Sequence, residues 1–371
     1  MHHYPLLLTP IYKQMLWGGN RLNAIYNRNS PHNNTGESWD ISCRPGEMGV
    51  IENGLAAGQT LAEYIAADKT GTLGTRLVSL DSFPLLVKLI DANDYLSVQV
   101  HPGDDLDEVA LHSATSTSQW QASDTGKSEM WYILTPPTDG HLIMGLKPGI
   151  TPAILRTAIE SGTVESCLHR LPVAAGDIVN IPAGLIHALT PGVMVAEVQQ
   201  NSDITYRIYD YNRAGIDGKP RELHIEESLA VADFENKIPK TTIPGLVIKK
   251  GDCTFTYAIA NKHFAIIKYN LHSSFTETSD PAAFSIFTCV EGEVTITPHA
   301  MPGVAAAAVQ LATGRSVFIP AGLGSYTIHP KGEHATILKS YVPDVKKDFV
   351  APLLAYGYTR DEIAAYTATA L

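Results

Sequence analysis

The segment Gly176-Asp177-Ile178-Val179-Asn180-Ile181-Pro182-Ala183-Gly184-Leu185 recurs as Gly314-Arg315-Ser316-Val317-Phe318-Ile319-Pro320-Ala321-Gly322-Leu323. A short apolar run between a glycine and a Pro-x-Gly turn reads as one strand of a β-unit, and its recurrence signals duplication of the whole unit. Another strand-like run precedes each copy, at residues 130–134 and 286–290, the second leading into Glu291-Gly292-Glu293-Val294, which reads as a hairpin turn. Two related β-barrels are therefore expected. The 29 glycines and 23 prolines of the 371 residues keep the Val, Ile, Leu and Phe runs short, which favours many strands over long helices. Residues 83–90, 95–101, 130–134 and 193–199 read as strands. Helices are expected where Thr60 and Glu63 can form a capping box, after the N-cap pair Thr151-Pro152, and over residues 105–112 and 222–232.

The spacing of Gly176 and Gly314 from the Pro-x-Gly that follows each resembles the second motif of the cupin superfamily, whose fold is a double-sheet jelly roll. The fold class expected is mainly β: two cupin (jelly-roll) β-barrels with a small helical insertion. Residues 1–240 would form the catalytic N-terminal cupin domain, with helical excursions near 104–125 and 151–171. Residues 241–371 would form a degenerate C-terminal cupin domain without metal ligands. In the first copy the motif runs on to His187, where cupins place a ligand on an inward-facing strand position. In the second copy Ser325 stands there, and His329 lies nearby but out of register.

Side chains alternate across a strand, so Gln99 and His101 share a face. Glu129 opens the next clear strand, after an excursion that can leave the barrel wall and return. Gln99, His101, Glu129 and His187 together offer one amide oxygen, two imidazoles and one carboxylate, a set suited to catalytic zinc with a position left for water or substrate. Two histidines and a carboxylate also form the facial ligand set of non-haem iron enzymes, so a cupin oxygenase is a rival, against which Gln99 weighs as an additional ligand. A non-catalytic sugar-binding bicupin would share the fold.

Six ordered segments carry a closer resemblance: Leu16-Trp17-Gly18-Gly19, Gly36-Glu37-Ser38-Trp39-Asp40-Ile41-Ser42, Lys88-Leu89-Ile90-Asp91-Ala92, Leu96-Ser97-Val98-Gln99-Val100-His101-Pro102, Gly126-Lys127-Ser128-Glu129, and Asn201-Ser202-Asp203 with Arg207. They resemble the class I mannose-6-phosphate isomerases, in a short form. The resemblance implies an aldose–ketose isomerase acting on a phosphosugar through an enediol, with one zinc ion (Zn2+) per chain on Gln99, His101, Glu129 and His187. The family's active-site arginine falls on Arg207 and its lysine on Lys127. Glu197, Asp203 and Lys127 are candidate proton carriers, and Lys88 and Arg213 join Lys127 and Arg207 as candidate phosphate contacts. The chain departs from longer members in having Ser128 where they place proline and in lacking their large helical insertion.

Lys plus Arg number 27 against 38 Asp plus Glu, a formal net charge of −11 that argues against nucleic acid or an anionic membrane as partner. Cys43, Cys167, Cys253 and Cys289 lie far apart and form no C-x-x-C pair, which suggests neither a thiolate zinc cluster nor a disulfide framework and suits the cytoplasm. The start lacks a secretory pattern, no apolar run reaches membrane-spanning length, and no nucleotide-binding glycine motif appears. A cytoplasmic monomer or homodimer is expected.

Overall fold

A computed structural model describes residues 2–104, 126–215, 218–235, 242–299 and 308–367. The chain divides into two compact units, a terminal unit of Met1–Ile11, Trp39–Lys88 and Ile243–Leu371, and a central unit of Tyr12–Ser38 and Leu89–Thr242. The last boundary falls near residue 242. Met1–Ile11 and Trp39–Lys88, which the sequence places with the first half, group with the second.

In the central unit a five-stranded sheet runs in the order Leu168–Pro172, His141–Leu146, His187–Ala188, Val98–Val100, Tyr206–Tyr209. The other sheet orders Ile178–Ile181, Glu129–Thr135 and Met194–Gln200, followed by Leu85–Asp91, Thr35–Ile41 and Ile11–Gly19, strands within which the chain crosses from one unit to the other. One apolar core joins the two sheets, with Trp131, Ile133 and Val195 from one and Leu142 and Met144 from the other. On the five-stranded sheet Val98, Val100, Ile143 and Ala188 face a second core, where the helix Pro152–Glu160 buries Leu155 and Ala158. This two-sided burial fixes the register, because a one-residue slip would turn Val98 and Val100 inward and Gln99 outward.

The terminal unit repeats the double-sheet plan. Its eight-stranded sheet orders Leu246–Lys250, Cys253–Ala260, Ala265–Leu271, Ala335–Tyr341, Ser285–Glu291, Ser316–Ile319, Leu6–Thr9 and Val50–Ile51. Its four-stranded sheet orders Phe275–Thr278, Ser325–Pro330, Glu293–Pro298 and Val309–Ala312. Phe255 and Ile337 meet Val294 and Ile328 in one core.

Thr60 and Glu63 make both bonds of the capping box on the helix Leu61–Ala67. The expected helical stretch 151–171 ends early: the helix Pro152–Glu160 gives way to a single 3-10 turn, and Leu168–Pro172 is a strand, because Leu168 and Leu171 are buried while the strand pairs with His141–Leu146. Glu291-Gly292-Glu293 is not a hairpin, since Ser285–Glu291 and Glu293–Pro298 belong to different sheets and the chain changes sheet at Gly292. A Cβ there would lie 2.7 Å from the His334 carbonyl oxygen. The excursion near 104–125, with its helix at 105–112, lies outside the described residues apart from Asp104.

The second copy also departs from its expected register. The turn glycine of the first copy with positive φ is Gly184 (+85°), whereas in the second it is Gly324 (+83°), two places further along the repeat. The strand Ser325–Pro330 consequently turns Tyr326 inward, fully buried, while Ser325 sits half-buried and its hydroxyl bonds that of Thr278 at 2.8 Å. At this turn the residue pointing into the core is therefore Tyr326, not Ser325. His329 is exposed and bonds Ser274 at 2.8 Å.

Candidate metal centre and active site

Three neighbouring strands of the five-stranded sheet set one row of side chains. His187 lies opposite Gln99 in the antiparallel register, and Arg207 lies opposite Gln99 on the other side. Directly opposed residues point to the same face with Cβ atoms about 5 Å apart, so His187, Gln99 and Arg207 form a line across the inner face. Glu129 enters from the opposing sheet, paired with Ile181 and Gln199. His101, just past the strand Val98–Val100, completes the group.

The histidines are oriented by carbonyls. Nδ1 of His101 is 2.7 Å from the Ile204 oxygen, and Nδ1 of His187 is 2.8 Å from the Leu185 oxygen. Those atoms must carry the hydrogens, which leaves both Nε2 lone pairs facing the interior. His101 Nε2 lies 3.3 Å from Glu129 Oε1 and His187 Nε2 lies 3.7 Å from Glu129 Oε2. The donor atoms of His101, Glu129 and His187 all fall within 4.8 Å of one another, and all three residues are buried. The Gln99 amide reaches the same place, its Nε2 3.4 Å from His187 Nε2. Lys127 Nζ is 2.8 Å from Glu129 Oε1 and 3.3 Å from His101 Nε2, so it lies in the cluster and not at its rim.

Burial holds the His187 pKa down at about 3, and burial with Lys127 beside it lowers that of His101. Glu129 resists the upward push of burial: the Lys127 ammonium, 2.8 Å away, holds its carboxyl well below the usual range. At neutral pH two uncharged imidazoles and one carboxylate therefore converge, the protonation state a divalent metal requires. Glu129 Oε2 is buried and accepts no hydrogen bond. A buried carboxylate oxygen without a donor costs free energy unless a cation meets it. The residues present fit a metal ion.

Arg207 is pushed down to about 10 by burial and by Arg221, and remains a cation. Its Nη1 donates to the Glu222 carbonyl at 2.8 Å, and its backbone exchanges bonds with His224 in both directions, at 3.1 and 2.8 Å. Glu197 is buried opposite Trp131 and accepts the indole N–H at 2.7 Å. The Trp131 ring in turn stands edge-on to His187, centroids 5.4 Å apart. Asp203 is exposed, in the loop whose next residue holds His101. Arg213 is engaged by carboxylates, with Asp210 at 2.9 Å and Asp94 at 3.4 Å. Lys88 belongs to the terminal unit, buried with its Nζ 4.7 Å from the Trp39 ring centre. Ser128, the departure from proline, uses the N–H that proline lacks, donating to Gln200 Oε1 at 2.9 Å. Sequence reasoning did not single out His224 or the carbonyls of Ile204 and Leu185.

Comparison with known proteins places these observations in a family. Residues 6–140 match the model for the phosphomannose isomerase type I catalytic domain, and residues 254–341 match the mannose-6-phosphate isomerase cupin domain. The chain is 37% identical to the probable mannose-6-phosphate isomerase GmuF of Bacillus subtilis, over 72% of this chain and 80% of that protein. It is 35% identical to mannose-6-phosphate isomerase ManA of the same organism, over 78% and 86%. A crystal structure of the mannose 6-phosphate isomerase from Bacillus subtilis superposes with a TM-score of 0.79 at 29% identity, covering 91% of this chain and 99% of that one. Matched along most of its length and built around a buried His–Glu–His cluster, the chain belongs to the type I mannose-6-phosphate isomerase family.

Proposed function

We propose that the protein interconverts D-mannose 6-phosphate and D-fructose 6-phosphate through an enediol, in the cytoplasm as a monomer or homodimer, with one zinc ion on Gln99, His101, Glu129 and His187. The observation that carries the metal is the buried, unbonded Oε2 of Glu129 facing two imidazole lone pairs. When bound, zinc supplies Lewis-acid polarisation of the sugar oxygens. Gln99 joins the set by presenting its amide oxygen where its nitrogen stands 3.4 Å from His187. Arg207, in line with Gln99 and His187, adds positive charge beside the developing enediolate. Lys127 holds Glu129 ionised.

The proton that moves between C1 and C2 is assigned to Glu197, Asp203 or Lys127. Glu197 lies on the strand face of Gln199, which opposes Glu129, and its carboxylate is oriented by the Trp131 indole. Lys88 and Arg213 are the further proposed phosphate contacts, Arg213 by release from Asp94 and Asp210. The test is coupled turnover of mannose 6-phosphate before and after chelation and zinc readdition, with His187→Ala as control. Activity lost on chelation, restored by zinc and absent in the variant is expected; an inactive zinc-loaded wild type would overturn the proposal.

A further inference from the structure

The terminal unit has a cavity of about 360 Å³, within the range of about 300–1,000 Å³ typical of small-molecule sites. Its place in the fold corresponds to the metal centre of the other copy. Ile181 pairs with Glu129 in the first copy, and its counterpart Ile319 pairs with Ser285, so a hydroxyl replaces the metal-facing carboxylate. Glu197 opposes Trp131 in the first copy and Lys339 opposes Phe287 in the second, so an ammonium replaces a second carboxylate. Ser285 and Lys339 both line the cavity.

We propose that this cavity binds an uncharged polyhydroxylated ligand the size of one sugar ring, a hexose or hexitol without phosphate. Its walls include Phe255, Phe275, Tyr257 and Tyr269, flat apolar faces of the kind that pack against sugar C–H groups. Among them Lys339 pairs with Glu277, and the same carboxylate accepts the Tyr269 hydroxyl at 3.2 Å. The pair is charge-compensated and leaves donors and acceptors for hydroxyl groups. Packing alone does not require it, because a mostly buried ion pair is often no better for stability than apolar residues of similar volume; side-chain exposures here are 18% and 15%. Charge does not select a phosphorylated ligand: Lys339 is already paired with Glu277, and the lining carboxylates Asp280 and Asp348 are paired with Arg76, so among the described residues no cluster of free cations faces the cavity.

The experiment is calorimetric titration of the full-length, zinc-loaded protein with D-mannose, D-mannitol and inorganic phosphate. The variants are Glu277→Gln/Lys339→Gln, which keeps the charge balance, and Phe275→Ala, which removes a partly buried aromatic wall. Saturable binding of a neutral sugar or polyol by wild type is expected, weakened at least about tenfold in both variants while isomerase turnover is unchanged. Should the double variant fail to fold, Phe275→Ala decides. The proposal is overturned by absence of neutral-ligand binding in the millimolar range, by binding that survives Phe275→Ala, by loss of binding in Arg207→Ala instead, or by phosphate binding that Glu277→Gln/Lys339→Gln abolishes.

Discussion

At Glu129 the two carboxylate oxygens have different neighbours: Oε1 lies 2.8 Å from the Lys127 ammonium, while Oε2 accepts no hydrogen bond. Glu129→Gln removes the charge from both, so metal content by elemental analysis should fall below stoichiometric and turnover by at least about a hundredfold. The same substitution strands the buried Lys127 charge, a loss of about 3–5 kcal/mol of stability in chemical denaturation. The histidines predict a pH effect in the metal-free protein. Buried His187 and His101 stay neutral below the pH at which their unfolded counterparts protonate, so between about pH 6.5 and pH 3 the unfolded chain binds more protons. The Tm should therefore fall as pH drops below about 6.5, and less so in His187→Gln. Much of this cluster was legible in the sequence: alternation put Gln99 with His101, and the repeat placed His187. The carbonyls that aim the imidazoles were not, because Ile204 reaches His101 across 103 positions and leaves no local pattern.

At the scale of elements, strands were legible because glycine and proline bound them, whereas their sheet assignment was not. The Pro-x-Gly turn shows why a repeated sequence need not repeat its geometry. Positive φ falls on Gly184 in one copy and on Gly324 in the other, and this displacement turns Tyr326 inward where the repeat alone suggested Ser325. Gly184→Ala must adopt φ near +85° with a Cβ 3.2 Å from the Val231 oxygen, and should cost about 1–2 kcal/mol in denaturant unfolding. Another element is held by one side chain. Arg21, first residue of the helix Arg21–Tyr26, contacts the wholly buried Asp91 and donates to the carbonyls of Gly192 and Val193 at 2.6 and 3.0 Å. Arg21→Ala leaves Asp91 without its guanidinium, and a loss of about 3–5 kcal/mol is expected by the same measurement.

The molecule as a whole was half legible. Two double-sheet units could be read from the repeat, but not the interleaving of their segments, because the pairing of Leu6 with Phe318 has no signature in either stretch. A fragment ending at residue 240 lacks the strand Ser316–Ile319 against which Leu6 and Leu7 pair. It should show weaker amide protection across residues 6–9 in hydrogen exchange than the full chain, with the pairing of Leu8 and Thr9 to Val50–Ile51 and the Leu7 N–H bond to Asn53 remaining. Synthesis meets the same dependence in time. At the ribosomal pace of about 5–20 residues per second, Leu6–Thr9 leaves the tunnel roughly 15–60 s before its partner strand. During that interval its backbone N–H and C=O groups are an open edge for other nascent chains, so yield in the cell should depend on translation speed and chaperone supply as much as on final stability.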